Sequence, residues 1–270
     1  MLATLAGFGS GMLRALQTGV GTSGATDLDA YGKDAHLVDD LEPIRNFLYD
    51  RYWRVSVEGI QNIPAGPVLL VANHSGSFPF DGPILQEAIR RERPELNEAR
   101  WLVEDQVFYA PFVGTLLNRV GAVRACPENA LRLLGEARPV IVFPEGLQGI
   151  GKPFRERYRL MRFGRGGVVK ISLRTRAPII PVAIVGAEES MPLLGKIPAK
   201  PLGVPYVPIT SPLPLPARWS IRFGEPISIE GHGPESVDDL LLVQTLNDRT
   251  RESIQQMIDG ILRERTSIFA

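Results

Sequence analysis

The chain has 270 residues, of which 44% are hydrophobic, and its 30 Lys and Arg residues balance 30 Asp and Glu residues. Zero formal charge excludes a polycationic nucleic-acid-binding tail and a strongly acidic disordered chain. The single cysteine, Cys126, excludes an internal disulfide and favours a reducing compartment. We therefore expect a globular cytoplasmic protein with no nucleic-acid partner.

The N-terminal residues 1–16 are apolar, but no basic residue precedes Arg14 and no small-residue cleavage pattern follows. These features predict a short helix rather than a signal peptide. Residues 17–35 are rich in Gly, Thr and Asp, which predicts a flexible joint behind that helix. No window reaches the roughly 18 uninterrupted apolar residues that a membrane-spanning helix needs, so any membrane contact is expected to be peripheral.

Residues 36–270 are expected to form a single α/β domain. Apolar residues from Leu37 to Tyr52 recur at helical spacing, and a strand is predicted over 54–58. The continuous apolar run 66–72 is typical of a strand buried on both faces of a parallel sheet. A loop over 73–81 then leads to a helix that we place from Pro83 to Arg91, because proline suits the first turn of a helix.

The same alternation of strand and helix continues to the end of the chain. Strands are predicted over 101–103, 121–124, 140–143, 179–184 and 219–223, and helices over 111–118, 127–137, 166–174 and 236–264. Repeated alternation predicts a mostly parallel central sheet flanked by helices.

The segment 191–217 has a different composition, with eight prolines among Leu, Val and Ile residues. It can form neither a regular helix nor a central strand. Two interpretations stay open at this point: a loop packed over the edge of the sheet, or an apolar surface that contacts lipid.

Of the three histidines, His36, His74 and His232, only His74 directly follows a predicted buried strand. The carboxyl ends of strands in α/β folds are where binding sites form. Asp81 lies on the same loop, and a carboxylate that binds one imidazole nitrogen leaves the other free to take a proton from a hydroxyl. The alternative is that Asp81 only caps the following helix.

A second candidate group begins where the strand over 140–143 ends, at Glu145 and Gly146. Glu145 is expected either to bind the polar head of a substrate or to pair with a basic residue of the fold. Nine basic residues and one acidic residue, Glu156, lie between Lys152 and Arg176. This asymmetry indicates contact with a phosphate, a carboxylate or an anionic membrane, or else a solvated face. No His, Cys or carboxylate cluster has the spacing of a metal site, so no metal is expected.

Four motifs occur in the order of the sequence blocks of the glycerolipid acyltransferases. They are the loop from Asn73-His74 to Asp81-Gly82, the stretch Val120-Gly-Ala-Val-Arg124, the corner Phe143-Pro-Glu-Gly146 and the strand Ala177-Pro-Ile-Ile-Pro-Val-Ala183. The chain resembles a divergent bacterial 1-acylglycerol-3-phosphate acyltransferase-like protein of the lysophospholipid acyltransferase superfamily. The resemblance extends from about residue 50 to 230.

The resemblance implies transfer of a fatty acyl group from acyl-CoA or acyl carrier protein to a hydroxyl of a lysophospholipid-like acceptor, with no cofactor. His74 would be the general base and Asp81 would orient it, while Arg124, Glu145 and Gly146 would bind the acceptor. The implied role is in phospholipid biosynthesis, at the inner face of the cell membrane as a peripheral protein.

One departure from the family pattern concerns the loop between His74 and Asp81. Six residues separate the two here, where the usual block has four. Two alternatives to an acyltransferase follow: a catalytically silent lipid- or membrane-binding protein of the same fold, and an acyl-thioester hydrolase that uses the same His74.

Overall fold

The computed structural model describes residues 2–21, 27–74, 76–78, 80–110, 112–199 and 206–269, and the side chains of residues 2–6 and 8 are not described. Within these residues the chain forms a seven-stranded sheet and a separate two-stranded hairpin. The strands are β1 (Ser56–Glu58), β2 (Val68–Ala72), β3 (Arg100–Val103), β4 (Ala122–Arg124), β5 (Pro139–Val142), β6 (Ile179–Val185), β7 (Gly195–Pro198), β8 (Tyr206–Ile209) and β9 (Ser220–Phe223).

The large sheet has the strand order β1-β9-β6-β2-β5-β3-β4. Every neighbouring pair is parallel except β6 and β9, which are antiparallel. The predicted α/β class with a mostly parallel sheet is therefore confirmed. β2 lies at the centre, and its carboxyl end points to the same edge of the sheet as those of β3, β4, β5 and β6.

Helices cover both faces of this sheet. They are α1 (Leu2–Val20), α2 (Ala35–Asp40), α3 (Glu42–Asn46), α4 (Asp81–Glu92), α5 (Asp105–Phe108), α6 (Val113–Arg119), α7 (Pro127–Gly135), α8 (Gly146–Ile150), α9 (Gly167–Thr175), α10 (Ala187–Ser190) and α11 (Leu240–Glu264). A π-helical turn over Phe47–Tyr52 and 3-10 turns over Ile60–Asn62, Phe154–Glu156 and Pro234–Ser236 complete the described elements.

The core consists of two apolar clusters, one on each face of the sheet. Leu69 and Val71 of β2 pack with residues of α7, α9 and α11. The alternate residues of β2, including Leu70, pack with α4, α6 and the large rings of Trp53 and Trp101. All five residues of β2 are buried, as the uninterrupted apolar run predicts for a strand covered on both faces.

The boundaries of several elements differ from the sequence-based ones. α4 begins at Asp81, two residues before the predicted start, so Pro83 lies inside the first turn, where its missing N–H is still harmless. α11 begins at Leu240 because the side chain of Asp239 accepts a hydrogen bond from the Leu242 N–H and caps the helix there.

The N-terminal region is more ordered than its composition suggests. α1 extends to Val20, into the segment 17–35 that was expected to be a joint, and contacts α2, α3 and α6. Later in that segment, the carboxylate of Asp29 accepts a hydrogen bond from Arg100 of β3. Residues 22–26 of the expected joint lie outside the described residues.

The proline-rich segment 191–217 contains the hairpin of β7 and β8. Proline is compatible with this hairpin because its strands are short and have no further neighbours in the described sheet order. Among the described residues, no helix is both long enough and apolar enough to cross a membrane.

Candidate functional site

His74 lies two residues beyond the end of β2, at the carboxyl edge of the sheet, and its ring contacts Asp81 across the six-residue loop. The distance between His74 Nδ1 and Asp81 Oδ2 is 2.7 Å. Asp81 is fully buried as the first residue of α4. The structure therefore brings the two predicted catalytic residues into hydrogen-bonding contact despite the longer spacing.

Two further contacts hold His74 in place. Its ring stacks on Phe143, with centroids 4.6 Å apart and planes 22° from parallel. Its backbone N–H donates a 2.9 Å hydrogen bond to Glu145 Oε1. With Nδ1 facing Asp81, the opposite ring nitrogen, Nε2, is the one available for a substrate.

The segments on either side of His74 are tied to the neighbouring β6 region. The buried amide of Asn73 accepts from the Ile184 N–H at 2.7 Å and donates to the Ile184 carbonyl at 2.9 Å. Further along the loop, the Ser77 backbone N–H and hydroxyl both donate to the Met191 carbonyl. These bonds fix the start and the middle of the loop, so that it turns back toward Asp81.

Glu145 lies beneath His74 and is buried. Besides the bond from His74, its Oε2 accepts a 2.6 Å hydrogen bond from the Met161 N–H and lies 3.3 Å from Lys152 Nζ. Both carboxylate oxygens are thus occupied by groups of the protein. The predicted contact between Glu145 and an acceptor stays a prediction, while the structure shows Glu145 holding the backbone of His74.

Lys152 joins Glu145 to a second buried carboxylate, Glu188 of α10. Its ammonium lies 3.1 Å from Glu188 Oε1 and donates to the Arg159 carbonyl at 3.2 Å. Burial raises the pKa of Glu188 to about 7, against the attraction of Lys152, which lowers it. A buried cation shared by two carboxylates therefore links the ends of β5 and β6 below the candidate base.

Gly146 and Gly149 belong to α8, which packs directly against the candidate base. Gly146 has a positive φ of 53° and lies against the carboxylate of Glu104, which also accepts the Leu147 N–H. A Cβ on Gly149 would lie 2.8 Å from the Cβ atoms of both His74 and Glu145. Only a residue without a side chain allows this approach.

Arg124 is placed apart from the other predicted site residues. It ends β4, which is three strand positions from β2, or about 14 Å at the usual strand spacing. Its half-exposed guanidinium pairs with the equally exposed Asp105 at 2.7 Å. Arg124 nevertheless lies on the carboxyl edge that carries His74, and its predicted role in acceptor binding stays a prediction.

A cavity of about 410 Å³ opens at this edge of the sheet, and His74 is one of its lining residues. Most of the lining is apolar; it includes Trp101, Leu102, Val103, Val107, Ala110, Val113, Val142, Phe143 and Ile150. Glu104, Gln106 and Gly146 lie among them, and Tyr206, Val207 and Pro208 of β8 form one wall. The volume lies within the range of small-ligand pockets, about 300–1,000 Å³.

In the described part of the chain, no group of three or more His, Cys, Asp or Glu residues is arranged to hold a metal ion.

The basic segment 152–176 does not form one continuous patch. Lys152 is buried with its two glutamates, and Arg157 lies 3.9 Å from Glu189. Arg155, Arg159, Arg162 and Arg165 are exposed.

Sequence reasoning missed the residues that support the site. In the sequence Lys152 is one of nine basic residues of a charged segment, and no motif contains Glu188. The apolar run of β6 could have indicated the role of Glu188, which follows this longest buried strand. An ionisable residue in such surroundings needs a partner of opposite charge. The sequence marks Asn73 only as the residue before His74 and gives no indication of its two hydrogen bonds to the Ile184 backbone.

Comparisons with known proteins agree with this geometry. Residues 54–185 match the family described as Acyltransferase. An uncharacterized protein of Mycobacterium tuberculosis is 42% identical over 260 residues, which cover 92% of this chain and 73% of that protein. A Gallus gallus protein named DGAT1/2-independent enzyme synthesizing storage lipids is 25% identical over 222 residues, covering 78% of this chain and 62% of its own length.

A solved structure has the same fold over nearly the whole chain. The crystal structure of the 1-acyl-sn-glycerophosphate acyltransferase PlsC from Thermotoga maritima superposes with a TM-score of 0.58 at 20% identity. The match covers 98% of this chain and 97% of that one. At this level of identity the likeness demonstrates a shared fold.

Proposed function

The chain belongs to the acyltransferase family, and we propose that it moves a fatty acyl group from a thioester to a hydroxyl of a lipid acceptor, with His74 as the general base. The observation that carries this proposal is the contact between His74 and Asp81 at the mouth of an apolar cavity. A base beside a space suited to an acyl chain fits acyl transfer better than it fits lipid binding alone.

In the proposed reaction, His74 Nε2 takes the proton of the acceptor hydroxyl while that oxygen attacks the thioester carbonyl carbon. The resulting tetrahedral intermediate collapses when the carbon–sulfur bond breaks. The proton passes from His74 to the departing sulfur, so the products are an ester and a free thiol. Asp81 stabilises the imidazolium that forms in between and holds the ring in the required tautomer.

For the acceptor we propose a lysophospholipid or a related lipid alcohol. Gly146 lines the cavity close to His74, and Arg124 lies on the same sheet edge in an exposed ion pair. Exposed pairs of this kind contribute little energy, so a phosphate can replace Asp105 as the partner of Arg124. Glu145 serves the same acceptor site indirectly, through its bond to the His74 backbone.

For the acyl donor we propose acyl-CoA or an acyl carrier protein thioester. We further propose that the protein is bound peripherally to the inner face of the cell membrane. The acceptor and the product of such a reaction are both membrane lipids. The name of the Gallus gallus relative, an enzyme that synthesizes storage lipids, supports a role in lipid synthesis.

The test is thiol release from a long-chain acyl-CoA, with and without lysophosphatidic acid in vesicles, for the wild type and His74→Ala. We expect release that depends on the acceptor and is lost in the variant. Release by the wild type without acceptor would identify a hydrolase instead. No release with acyl-CoA or with acyl carrier protein thioester, across a set of lipid alcohols, would contradict the proposed activity.

A further inference from the structure

The hairpin of β7 and β8 presents two different faces. In an antiparallel pair, directly opposed residues project to the same side. Ile197 is opposite Val207, and Ile209 is opposite Gly195, so these residues share one face, which we call the outer face. The side chains of Ile197 and Ile209 are 54% and 46% exposed, although both are large and apolar.

The inner face of the same hairpin covers the cavity. Tyr206 and Pro208 alternate with the outer-face residues along β8 and line the cavity that contains His74, and Val207 between them also borders it. The ammonium of Lys196, opposite Pro208, lies 4.6 Å from the centre of the Tyr206 ring. Strand β8 therefore borders the cavity on one side and carries exposed apolar side chains on the other, among them Ile209.

The exposed apolar surface extends beyond the two strands. Leu194 precedes β7 and binds the Ile209 carbonyl through its N–H, and Leu213 and Leu215 follow β8; all three are exposed. With Ile197, Val207 and Ile209 they make six exposed large apolar side chains within one short segment. Monomeric proteins rarely expose such a set unless it is an interaction surface.

The charges of this segment have one sign. Residues 191–217 contain two lysines, Lys196 and Lys200, and no Asp or Glu. Arg155 adjoins the base of the hairpin, because its neighbour Phe154 donates its N–H to the Leu193 carbonyl. Its side chain is 83% exposed and lies 3.5 Å from the carboxylate of Glu156. A segment with exposed apolar side chains, two lysines and no acidic residue complements a bilayer that contains anionic phospholipids.

We propose that the outer face of the β7–β8 hairpin docks on an anionic membrane surface and places the cavity at the bilayer interface. The proposal rests on the acyl transfer proposed above, since it explains how a lipid with a long chain reaches His74 without crossing water. A second copy of the chain is a poorer occupant. A symmetric dimer through this face would pair the segment with itself, and the segment has no Asp or Glu to form an ion pair across the interface.

Vesicle flotation tests the proposal, with the 270-residue chain and vesicles of phosphatidylcholine alone or mixed with phosphatidylglycerol. We expect the wild type to float with the mixed vesicles. The double variant Ile197→Glu/Ile209→Glu should lose at least tenfold in partitioning. The matched control, Leu240→Glu/Leu241→Glu on α11, alters residues that are 71% and 76% exposed and should float like the wild type.

Helix α1 supplies the competing surface, because Leu13 and Leu16 are also exposed. If Leu13→Glu/Leu16→Glu abolished flotation while the hairpin variant floated normally, the proposal would be overturned in favour of α1. Equal flotation of all variants, or wild-type protein that does not float, would also overturn it. A concentration-dependent dimer of the wild type that the hairpin variant lacks, without flotation, would assign the surface to a second copy.

A probe on the hairpin provides a measurement that does not depend on a disruptive variant. Ile197→Cys in a Cys126→Ser background, labelled with an environment-sensitive dye, should shift to shorter emission wavelength when mixed vesicles are added. The same label at Leu241→Cys should not shift. Emission from residue 197 that is unchanged on vesicle binding would contradict the proposal.

Activity measurements separate this proposal from the proposed function. With hexanoyl-CoA and a short-chain lysophosphatidic acid, both dispersed as monomers, the Ile197→Glu/Ile209→Glu variant should retain wild-type kcat within twofold. With the same reaction in vesicles it should lose most of its rate. A wild type that floats but transfers no acyl group would contradict the proposed function and leave the docking result standing.

Discussion

The imidazole of His74 is held by a carboxylate, an aromatic ring and a backbone hydrogen bond, and each contact has a separable effect. Asp81→Asn keeps the shape of the side chain but removes the charge that stabilises the imidazolium. We expect kcat to fall roughly 10²-fold or more, with the melting temperature nearly unchanged. Steady-state kinetics beside a thermal melt measures both. A rate close to that of the wild type would show that Asp81 has only a structural role.

Glu188 links stability to pH through its burial. Its pKa rises from an ordinary 4.5 to about 7 in the folded protein, so the folded state binds more protons than the unfolded state between those values. The protonation of Glu188 therefore adds to the free energy of unfolding at low pH. This stabilisation is lost as the pH rises from 4.5 through about 7. The nearby charges are Lys152, whose ammonium is 3.1 Å away, and Glu145 on the far side of that lysine.

Glu188→Gln removes this titration while keeping the size of the side chain. We expect the free energy of unfolding of the wild type to fall relative to the variant as the pH is raised from 5 to 8. Urea unfolding at several pH values measures the difference. A difference that stays constant, or that changes in the opposite direction, would show that Glu188 is ionised throughout this range.

At the scale of elements, α8 fits against His74 only because Gly149 has no side chain. Gly149→Ala would place a methyl group 2.8 Å from the Cβ atoms of His74 and Glu145, so the helix or the base must move. We expect kcat to fall roughly 10²-fold, the effect of a displacement of about 1 Å at a catalytic group. Gly135→Ala on α7 is the control, since nothing lies within 4 Å of its added methyl. Equal activity of both variants would show that α8 adapts without displacing His74.

The elements also show what local sequence can and cannot predict. The apolar run of β2 predicts a central strand because burial on both faces needs no information from elsewhere in the chain. The sequence does not predict the hairpin of β7 and β8, because prolines argue against regular strands. Proline is tolerated here because the hairpin has no further neighbouring strands in the described sheet order. The pairing of Lys152 with Glu145 and Glu188 joins residues that are distant in the sequence, and composition does not reveal which cation will be buried.

At the scale of the whole molecule, the sheet order brings four of the five predicted site residues together and leaves Arg124 apart, since Gly146 directly follows Glu145 and lines the cavity with His74. His74 and Glu145 follow the adjacent strands β2 and β5, and Asp81 begins the helix after β2. Their proximity therefore follows from the fold. Arg124 ends the strand at the sheet edge. Strand order depends on pairing between distant segments, and so periodicity alone does not determine this separation.

The cavity is also a property of the whole molecule, since the sheet edge, α5, α8 and the hairpin all contribute walls. Ala110→Leu adds bulk to the apolar lining of the cavity. We expect the preference to shift to shorter acyl chains, with kcat/KM for the longest chain falling about tenfold. A series of acyl-CoA substrates of increasing length measures the profile. A uniform decrease at every length would indicate that the acyl chain lies elsewhere.

The central claim is direct transfer of the acyl group to a lipid hydroxyl, with His74 acting only on protons. A single turnover with acyl-CoA labelled in the acyl chain, quenched in acid and analysed by mass spectrometry, tests it most directly. The label should appear in the esterified acceptor, and His74→Ala should form less than about a hundredth as much product in the same time. Label bound covalently to the protein, or released only as free fatty acid, would contradict the account.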